Sequence, residues 1–407
     1  MSIKEKWWSI FTSKWFLGIL IFGLILRVVL NTAVDSFDFY AFVMWAKYLT
    51  AHRIADVFEF LPDGYTPYPP LYYYLLMTLG KIIAFLGLWS NKWLTYLIIR
   101  SPVFIADVIV LFLVYWFTSK FISKNHAPWA AGFYFLHPAI IYNTSVWGQI
   151  DSVVTLLGLL SVLAFVNKRV FWGVGFYVLG VITKLQILAI LPLIGFFSLF
   201  RAHLTKLLPS LVFWIGIGLL PFVPIVFEKG FDWTWSYFFT IPNWYAYTSI
   251  YTYNLWAPFG FVRSDNTKFL SFIEYKYIGI FLFWLVALLI LLPLRQKKNQ
   301  NPITFMFAAF LLWYDFSFFA TRIHSRYLIY SFGFFAPFFV RFPLIGILLS
   351  VLMIANFLLP LKVTILAPIV HFLNQPLTIL FFVCFAFGLF ILSFHSYLRL
   401  LGYGKKS

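Results

Sequence analysis

The chain has 407 residues, of which 62% are hydrophobic and only 11% are charged. A soluble domain carries about 25% charged residues, so this composition excludes an ordinary soluble enzyme. The net charge of +17 does not indicate nucleic acid as a partner, because the basic residues form short clusters between apolar runs, as the positive-inside rule produces in membrane proteins. The sequence predicts an all-α, polytopic integral membrane helical bundle with about 11 to 13 transmembrane helices.

The apolar runs are long enough to place these helices along the chain, since a spanning helix needs about 20 apolar residues. Such runs occupy residues 14–33, 68–89, 94–118, 128–146, 150–167, 170–200 (a long run that can be a broken pair), 207–227, 277–294, 302–320, 327–341, 343–360 and 376–396. No small-residue cleavage site follows the first run, so a signal anchor is predicted there. The chain, 1–407, is interpreted as a single integral membrane domain.

Basic clusters predict the orientation of this domain. With the N-terminus cytoplasmic, five further clusters are expected on the same side: Lys120 and Lys124, Lys168 and Arg169, Arg201 and Lys206, Arg295 with Lys297 and Lys298, and Lys405 with Lys406. Two longer stretches, 34–67 and 228–276, are then extracytoplasmic. Residues 68–118 must cross an odd number of times although hydropathy indicates two helices, so either the segment from Pro69 is interfacial or re-entrant, or a third short crossing exists.

Acidic residues are concentrated in the first of these loops, which holds Asp35, Asp38, Asp56, Glu59 and Asp63. The last three are interpreted as solvated loop charges. Asp35 and Asp38 follow the first span and precede an aromatic run, and a carboxylate that is partly desolvated there is a candidate general base. The alternative is an N-cap for the next helix. That alternative stays open for Asp35, whereas the position of Asp38 favours a functional role.

Other polar residues stand near the ends of the predicted spans. Asp151 closes the segment from Trp147, and it is either functional or the N-cap of the helix that follows. Asp107 and Asp315 fall inside predicted spans, where an ionisable group is expected to pair or to line a cavity.

Three cations within five residues, Arg322, His324 and Arg326, are predicted on the outer side, against the positive-inside trend. Such a cluster favours binding of an anion such as a phosphate. Arg100 and Lys184 lie near membrane ends and are either further anion ligands or snorkelling anchors.

Together these segments resemble a known family, the polytopic C-class glycosyltransferases, and most closely their GPI-type mannosyltransferase branch and its prokaryotic relatives. The resemblance begins with Asp38-Phe39-Tyr40, Trp45-Ala46 and Tyr68-Pro69-Pro70-Leu71-Tyr72, which are similar to the family's first outer loop. Four further motifs follow in family order: His137-Pro138 through Asn143 to Trp147-Gly148-Gln149 and Asp151; Thr183-Lys184-Leu185-Gln186 with Pro192; Tyr253-Asn254-Leu255-Trp256; and Ile323-His324-Ser325-Arg326-Tyr327-Leu328. Relatives usually have Glu at the position of Ser325, so no acid is expected to act there.

The resemblance implies an enzyme that takes a hexose, mannose being the first expectation, from a polyprenyl phosphate such as dolichyl or undecaprenyl phosphate. The sugar is transferred with inversion to a hydroxyl of a glycan, glycolipid or protein outside the cytoplasm. Asp38 is the implied base. Substrate binding is assigned to Asp35, Gln149, Asp151 and Gln186, and phosphate binding first to His324 and Arg326, then to Lys184 and Arg100. Neither a cofactor nor a metal is expected, because cations can bind the phosphate.

Three other functions remain as hypotheses. They are a transporter or flippase for a lipid-linked saccharide, an oligosaccharide polymerase or ligase, and a scaffold subunit of a membrane complex. The transporter hypothesis is weakened by the absence of an internal sequence repeat. The expected location is a prokaryotic cell membrane with the active site outside, and the alternative is the endoplasmic reticulum membrane with a lumenal site.

Overall fold

The computed structural model describes residues 14–34, 36–61, 64–361 and 364–403, and it is 77% helical. Within those residues, six helices are long and apolar enough to cross a membrane. Pro138–Val146 and Asp151–Val166, bent by 120°, can form a seventh span, and six apolar helices are shorter, at 10–17 residues. The chain is therefore a polytopic, multi-pass membrane protein. The expected 11 to 13 transmembrane helices correspond to the long and the short apolar helices counted together. Among the described residues, only six of these helices, or seven with the bent pair, are long enough to span a membrane.

The chain divides into two compact units, and the first comprises Met1–Ser161, Val170–Leu188 and Leu204–Trp244. Its helices are α1 (Lys14–Val29), α2 (Phe37–Tyr48), α3 (Pro70–Phe85), α4 (Lys92–Phe121), α5 (Ala127–Phe135), α6 (Pro138–Ile141), α7 (Asp151–Val166, to Ser161 in this unit), α8 (Val170–Thr183), α10 (Leu204–Leu219), α11 (Val223–Lys229) and α12 (Phe231–Thr240). Short 3-10 or π turns lie between these helices or at their ends, at Leu30–Thr32, Ile54–Glu59, Tyr142–Val146, Leu185–Ile190 and Leu220–Phe222.

The second unit comprises Val162–Arg169, Ala189–His203 and Tyr245–Ser407. Its helices are α9 (Leu191–Phe200), α13 (Tyr275–Leu291), α14 (Pro302–Phe319), α15 (Tyr330–Phe335), α16 (Pro343–Leu358), α17 (Ala367–Leu373) and α18 (Pro376–Leu400). Two small sheets accompany them: β1 (Ser249–Ile250) pairs in parallel with β4 (Ile323–His324), and β2 (Lys268–Phe269) pairs antiparallel with β3 (Ile273–Glu274).

The predicted first loop is largely helical and packs into the core of the first unit. Helix α2 lies against α3, and this close contact requires glycine at position 80, since a Cβ there would stand 2.1 Å from the carbonyl oxygen of Ala46. Phe42, Trp45 and Tyr72 belong to one buried aromatic cluster, with the rings of Phe42 and Tyr72 5.2 Å apart. The aromatic residues of the loop motifs therefore form part of the hydrophobic core of the first unit, where burial of their apolar surface stabilises the packing of α2 on α3.

Charged pairs connect the first loop to the start of the second. Arg53 contacts Glu228 at 3.2 Å, and Lys229 pairs with Glu59. Partial burial raises the pKa of Asp56, but hydrogen bonds from the backbone and guanidinium of Arg53 outweigh this effect, so the pKa lies below its ordinary value. These contacts agree with the prediction that residues 34–67 and the chain near 228 lie on the same side of the membrane.

The two acids predicted inside spans have different surroundings. Asp107 of α4 is fully buried and forms an ion pair of 2.8 Å with Arg27 of α1, and Tyr134 of α5 donates to it at 3.0 Å. This network joins three helices and meets the expectation that such a group is paired. Asp315 of α14 is also fully buried, but among the described residues neither of its carboxylate oxygens has a hydrogen-bond partner.

Candidate functional site

Asp38 lies in the first turn of α2, at the end of the chain segment that leaves α1. The N-cap of α2 is Ser36, whose hydroxyl accepts from the Phe39 amide at 3.2 Å and donates to the Trp147 carbonyl at 2.8 Å. Asp38 is therefore not the helix cap, and its side chain is half-buried. The cap role that was left open for Asp35 falls outside the described residues.

Two neutral donors from a distant motif hold the Asp38 carboxylate. Trp147 Nε1 donates to Oδ2 at 2.9 Å, and Gln149 Nε2 donates to the same oxygen at 2.7 Å. Tyr68 in turn donates from its hydroxyl to Gln149 Oε1 at 3.3 Å. Three of the sequence motifs thus meet around one carboxylate, and their hydrogen bonds fix its orientation.

Gly148 allows this approach. Its φ is +75°, in the region that favours glycine, and a Cβ would stand 2.3 Å from a ring carbon of Phe39. The turn can therefore lie against α2 only if position 148 has no side chain. This steric requirement explains the glycine between the two donors of the Asp38 contact.

Asp151 and Lys184 form a second buried polar group in the same unit. The Lys184 ammonium pairs with Asp151 Oδ1, and Asn143 Nδ2 donates to Oδ2 at 3.2 Å. The two charged residues are 1% and 4% exposed, and the Lys184 ammonium lies 5.6 Å from the centre of the Tyr68 ring. Asp151 is the first residue of α7, and its ion pair with Lys184 joins α7 to the end of α8.

Arg100 of α4 is fully buried and contacts the chain on both sides of the Asp38 site. Its guanidinium donates to the carbonyls of Asn31 and, at 3.2 Å, of Val146. It also stacks on the Phe39 ring at 3.6 Å. This geometry links the end of α1, the first turn of α2 and the turn before Trp147, so Arg100 supports the site from within the protein.

Tyr237 of α12 supports the Tyr68 segment from the opposite side. Its hydroxyl shares its single proton between the carbonyls of Thr66, at 3.1 Å, and Tyr68, at 2.5 Å. Burial raises the pKa of Tyr237 well above its usual range, which keeps the phenol protonated as the donor in both bonds.

Of the remaining predicted site residues, Gln186, His324 and Arg326 are among the described residues and Asp35 is not. Gln186 is half-buried in the 3-10 turn after Lys184, and Asp35 lies outside the described residues. His324 and Arg326 belong to the second unit, where His324 ends β4 and its ring lies 4.7 Å from that of Tyr245.

The third cation of that cluster is engaged in an ion pair within the second unit. Arg322 contacts buried Asp265 through two nitrogens at 2.7 and 3.3 Å. A guanidinium held by a carboxylate in this way stabilises the β1–β4 region. The observed contact therefore differs from the phosphate contact that the sequence suggested for Arg322.

The Tyr253–Trp256 motif also has structural contacts. The Tyr253 amide donates to Asn356 Oδ1 at 2.8 Å, and Trp256 Nε1 donates to the Phe319 carbonyl at 2.9 Å. Asn254 donates to the Thr248 carbonyl at 3.3 Å. These bonds join the chain after β1 to α14 and α16 within the second unit.

Sequence reasoning did not single out several residues that build the site: Trp147, Tyr68, Asn143 and Tyr237. The first three belong to the motifs quoted from the sequence, so their place beside Pro69 or close to Gly148 could have marked them as candidate site residues. Tyr237 carried no such signal, because only its position in space brings it under Tyr68. Across the described ranges, no group of three or more His, Cys, Asp or Glu residues could hold a metal ion.

No protein-family model matches the chain, and no curated protein matches it.

Proposed function

We propose that this chain is a membrane glycosyltransferase that moves a hexose, with mannose as the first candidate, from a polyprenyl-phosphate donor to a hydroxyl acceptor. The observation that carries the proposal is the half-buried Asp38 carboxylate, which receives hydrogen bonds from Trp147 and Gln149. Both donors are neutral, so they orient the carboxylate without supplying it with a proton. A carboxylate held in this way suits a general base.

The proposed reaction is a direct displacement. The acceptor hydroxyl gives its proton to Asp38 while its oxygen forms a bond to the anomeric carbon. The bond between that carbon and the phosphate oxygen breaks, and polyprenyl phosphate leaves with the electron pair. Attack opposite the leaving group inverts the anomeric configuration, and the base contributes about 10²- to 10⁴-fold to the rate.

Negative charge develops on the departing phosphate, and cationic donors stabilise it there. His324 and Arg326 are the proposed donors. Arg326 is 3% exposed, which favours a strong interaction with an anion because little water competes. Arg100 and Lys184 have protein partners in the first unit, so their proposed contribution is to hold Asp38 and Tyr68 in place. Gln149 and Asp151 are proposed to orient the base and the acceptor, and Asp35 and Gln186 to contact substrate.

The membrane location supports this choice of donor. Asp38 lies in the first turn of the helix that follows α1, so the proposed base is close in sequence to a segment that is long and apolar enough to cross a membrane. A polyprenyl tail stays in the hydrocarbon layer while its phosphate reaches the interface. We propose the extracytoplasmic face of a prokaryotic cell membrane as the location of the site.

The proposal is tested with purified protein in proteoliposomes, a short-chain polyprenyl-phosphate mannose and a panel of glycoside acceptors. Asp38→Asn is expected to lower transfer by about 10²- to 10⁴-fold. The matched control is Asp232→Asn, which makes the same change at an exposed residue of α12.

Equal transfer by the parent and Asp38→Asn would show that Asp38 is not the base. Movement of the lipid-linked sugar across the bilayer with no glycoside formed would favour the transporter hypothesis instead.

A further inference from the structure

Helix α12 exposes three aromatic side chains in a row. Phe231, Trp235 and Phe239 are 65%, 58% and 55% exposed. Their spacing of four residues places them along one side of the helix, and the rings contact each other in sequence, with centroids 6.1 and 4.8 Å apart. We call these three residues the aromatic ridge.

A row of polar side chains runs beside the aromatic ridge. Asp232, Ser236 and Thr240 are exposed, and each follows a ridge residue by one position. One residue corresponds to about 100° around a helix, so the polar row faces a direction clearly different from that of the ridge. The exposed surface of α12 thus carries an apolar row and a polar row side by side, and Trp233, which is 37% exposed, stacks on buried Tyr237 beyond the polar row.

The inner face of α12 packs against the rest of the first unit. Thr234 and Tyr237 are buried, and the Tyr237 ring lies 4.6 Å from that of Phe58. Together with the hydrogen bonds of Tyr237 to Thr66 and Tyr68, this packing fixes the rotation of the helix. The ridge therefore cannot turn inward without breaking these contacts.

The ridge follows an exposed apolar surface on the preceding segment. Residues Leu204–Lys229 are long and apolar enough to cross a membrane, and Val212 and Phe227 of that segment are 68% and 85% exposed. Gly230, with φ +87°, makes the turn into α12. Phe227 thus lies four residues before Phe231, near the end of the segment Leu204–Lys229.

We propose that α12 lies in the membrane–water interface, with the aromatic ridge inserted into the lipid and the polar row facing water. Aromatic side chains favour this zone of a bilayer, and a helix with one apolar and one polar side lies in its plane. Through Tyr237, the lipid-bound helix supports the Tyr68 segment that contacts Gln149.

The two rows provide paired test sites on one helix. Cys384 is the only cysteine in the chain, so Cys384→Ser gives a background in which single cysteines are introduced by Trp235→Cys, Phe239→Cys, Ser236→Cys and Thr240→Cys. Each is labelled with a nitroxide and reconstituted in phosphatidylcholine vesicles. Collision rates are then measured with oxygen, which partitions into lipid, and with a water-soluble nickel chelate.

The ratio of oxygen to nickel accessibility is expected to be several-fold higher at 235 and 239 than at 236 and 240. Equal, high nickel accessibility at all four sites would overturn the proposal, because the ridge would then face water. Shielding of 235 and 239 from both reagents would also overturn it, since another protein or a second copy would then cover the ridge. The measurement involves no sugar transfer, so its outcome is independent of the proposed enzymatic function.

Discussion

The indole Nε1 of Trp147 donates a 2.9 Å hydrogen bond to Oδ2 of Asp38, joining residues that are 109 positions apart in the chain. Gln149 reaches the same oxygen, while Gly148 between them lies against Phe39. The turn from Trp147 to Gln149 therefore determines where the Asp38 carboxylate points. Under the proposed function, these residues position the base rather than react themselves.

Gln149 is expected to affect the rate of transfer through this contact. A hydrogen bond to a charged group contributes about 1.5–3 kcal/mol, so Gln149→Leu should lower kcat by about 10- to 100-fold with a smaller change in the KM for the donor. Gln149→Glu should lose a similar amount, because it replaces the N–H donor by an acceptor. Steady-state kinetics in proteoliposomes measure both parameters. Gln375→Leu, a like change in the second unit, is the control, and an unchanged kcat for both Gln149 variants would contradict the positioning role.

Removing one partner of the buried Asp151–Lys184 pair is expected to destabilise the fold more than removing both partners. Lys184→Met leaves a buried carboxylate without its cation, and breaking a buried pair in this way costs about 3–5 kcal/mol. The double variant Lys184→Met with Asp151→Leu removes both charges and should recover much of the loss. Thermal unfolding in detergent, compared across the parent and the single and double variants, measures the coupling. A double variant that is no more stable than Lys184→Met would argue against this account.

Gly148→Ala is expected to destabilise the fold. The substitution places a Cβ 2.3 Å from the Phe39 ring at a positive φ, and backbone strain of this kind costs about 1–3 kcal/mol. Adding Phe39→Leu should relieve the steric part of the loss only. Gly195→Ala serves as the control, because a Cβ at this position in α9 meets no atom within 4 Å and alanine is the better helix former by about 1 kcal/mol. Unfolding midpoints in detergent should therefore move in opposite directions for the two Gly→Ala variants.

Tyr237→Phe is expected to loosen the Tyr68 segment. It removes the donor to the Thr66 and Tyr68 carbonyls, and leaving buried acceptors unsatisfied costs about 1–3 kcal/mol. Amide hydrogen exchange over residues 64–72 should increase, while exchange in the second unit should not change. Tyr277→Phe, at a tyrosine that is 53% exposed, should alter neither. Unchanged exchange near Tyr68 in Tyr237→Phe would show that the hydroxyl does not hold the segment.

Most helices could be located from the sequence, because a run of apolar residues long enough to cross a membrane satisfies its backbone hydrogen bonds best as a helix. The predicted run 376–396 corresponds to α18, Pro376–Leu400, and the expected break in 170–200 is confirmed by the 3-10 turn that follows Lys184. Helices α2 and α12 were not predicted as spans, since they are short and their polar residues lower the hydropathy. The run 128–146 is divided at His137, whose side chain caps the next short helix.

The sequence by itself determined the class of protein, because low charge and repeated apolar runs leave the bilayer as the only suitable solvent. It also marked Asp38 and Gln149 as candidate site residues. Only the tertiary structure decided the partners of the charged groups. Lys184 faces Asp151, and Arg100 faces backbone carbonyls, because a buried charge takes the nearest group that can compensate it. That group is set by how helices pack, and partners 33 or 46 residues apart leave no local pattern in the chain.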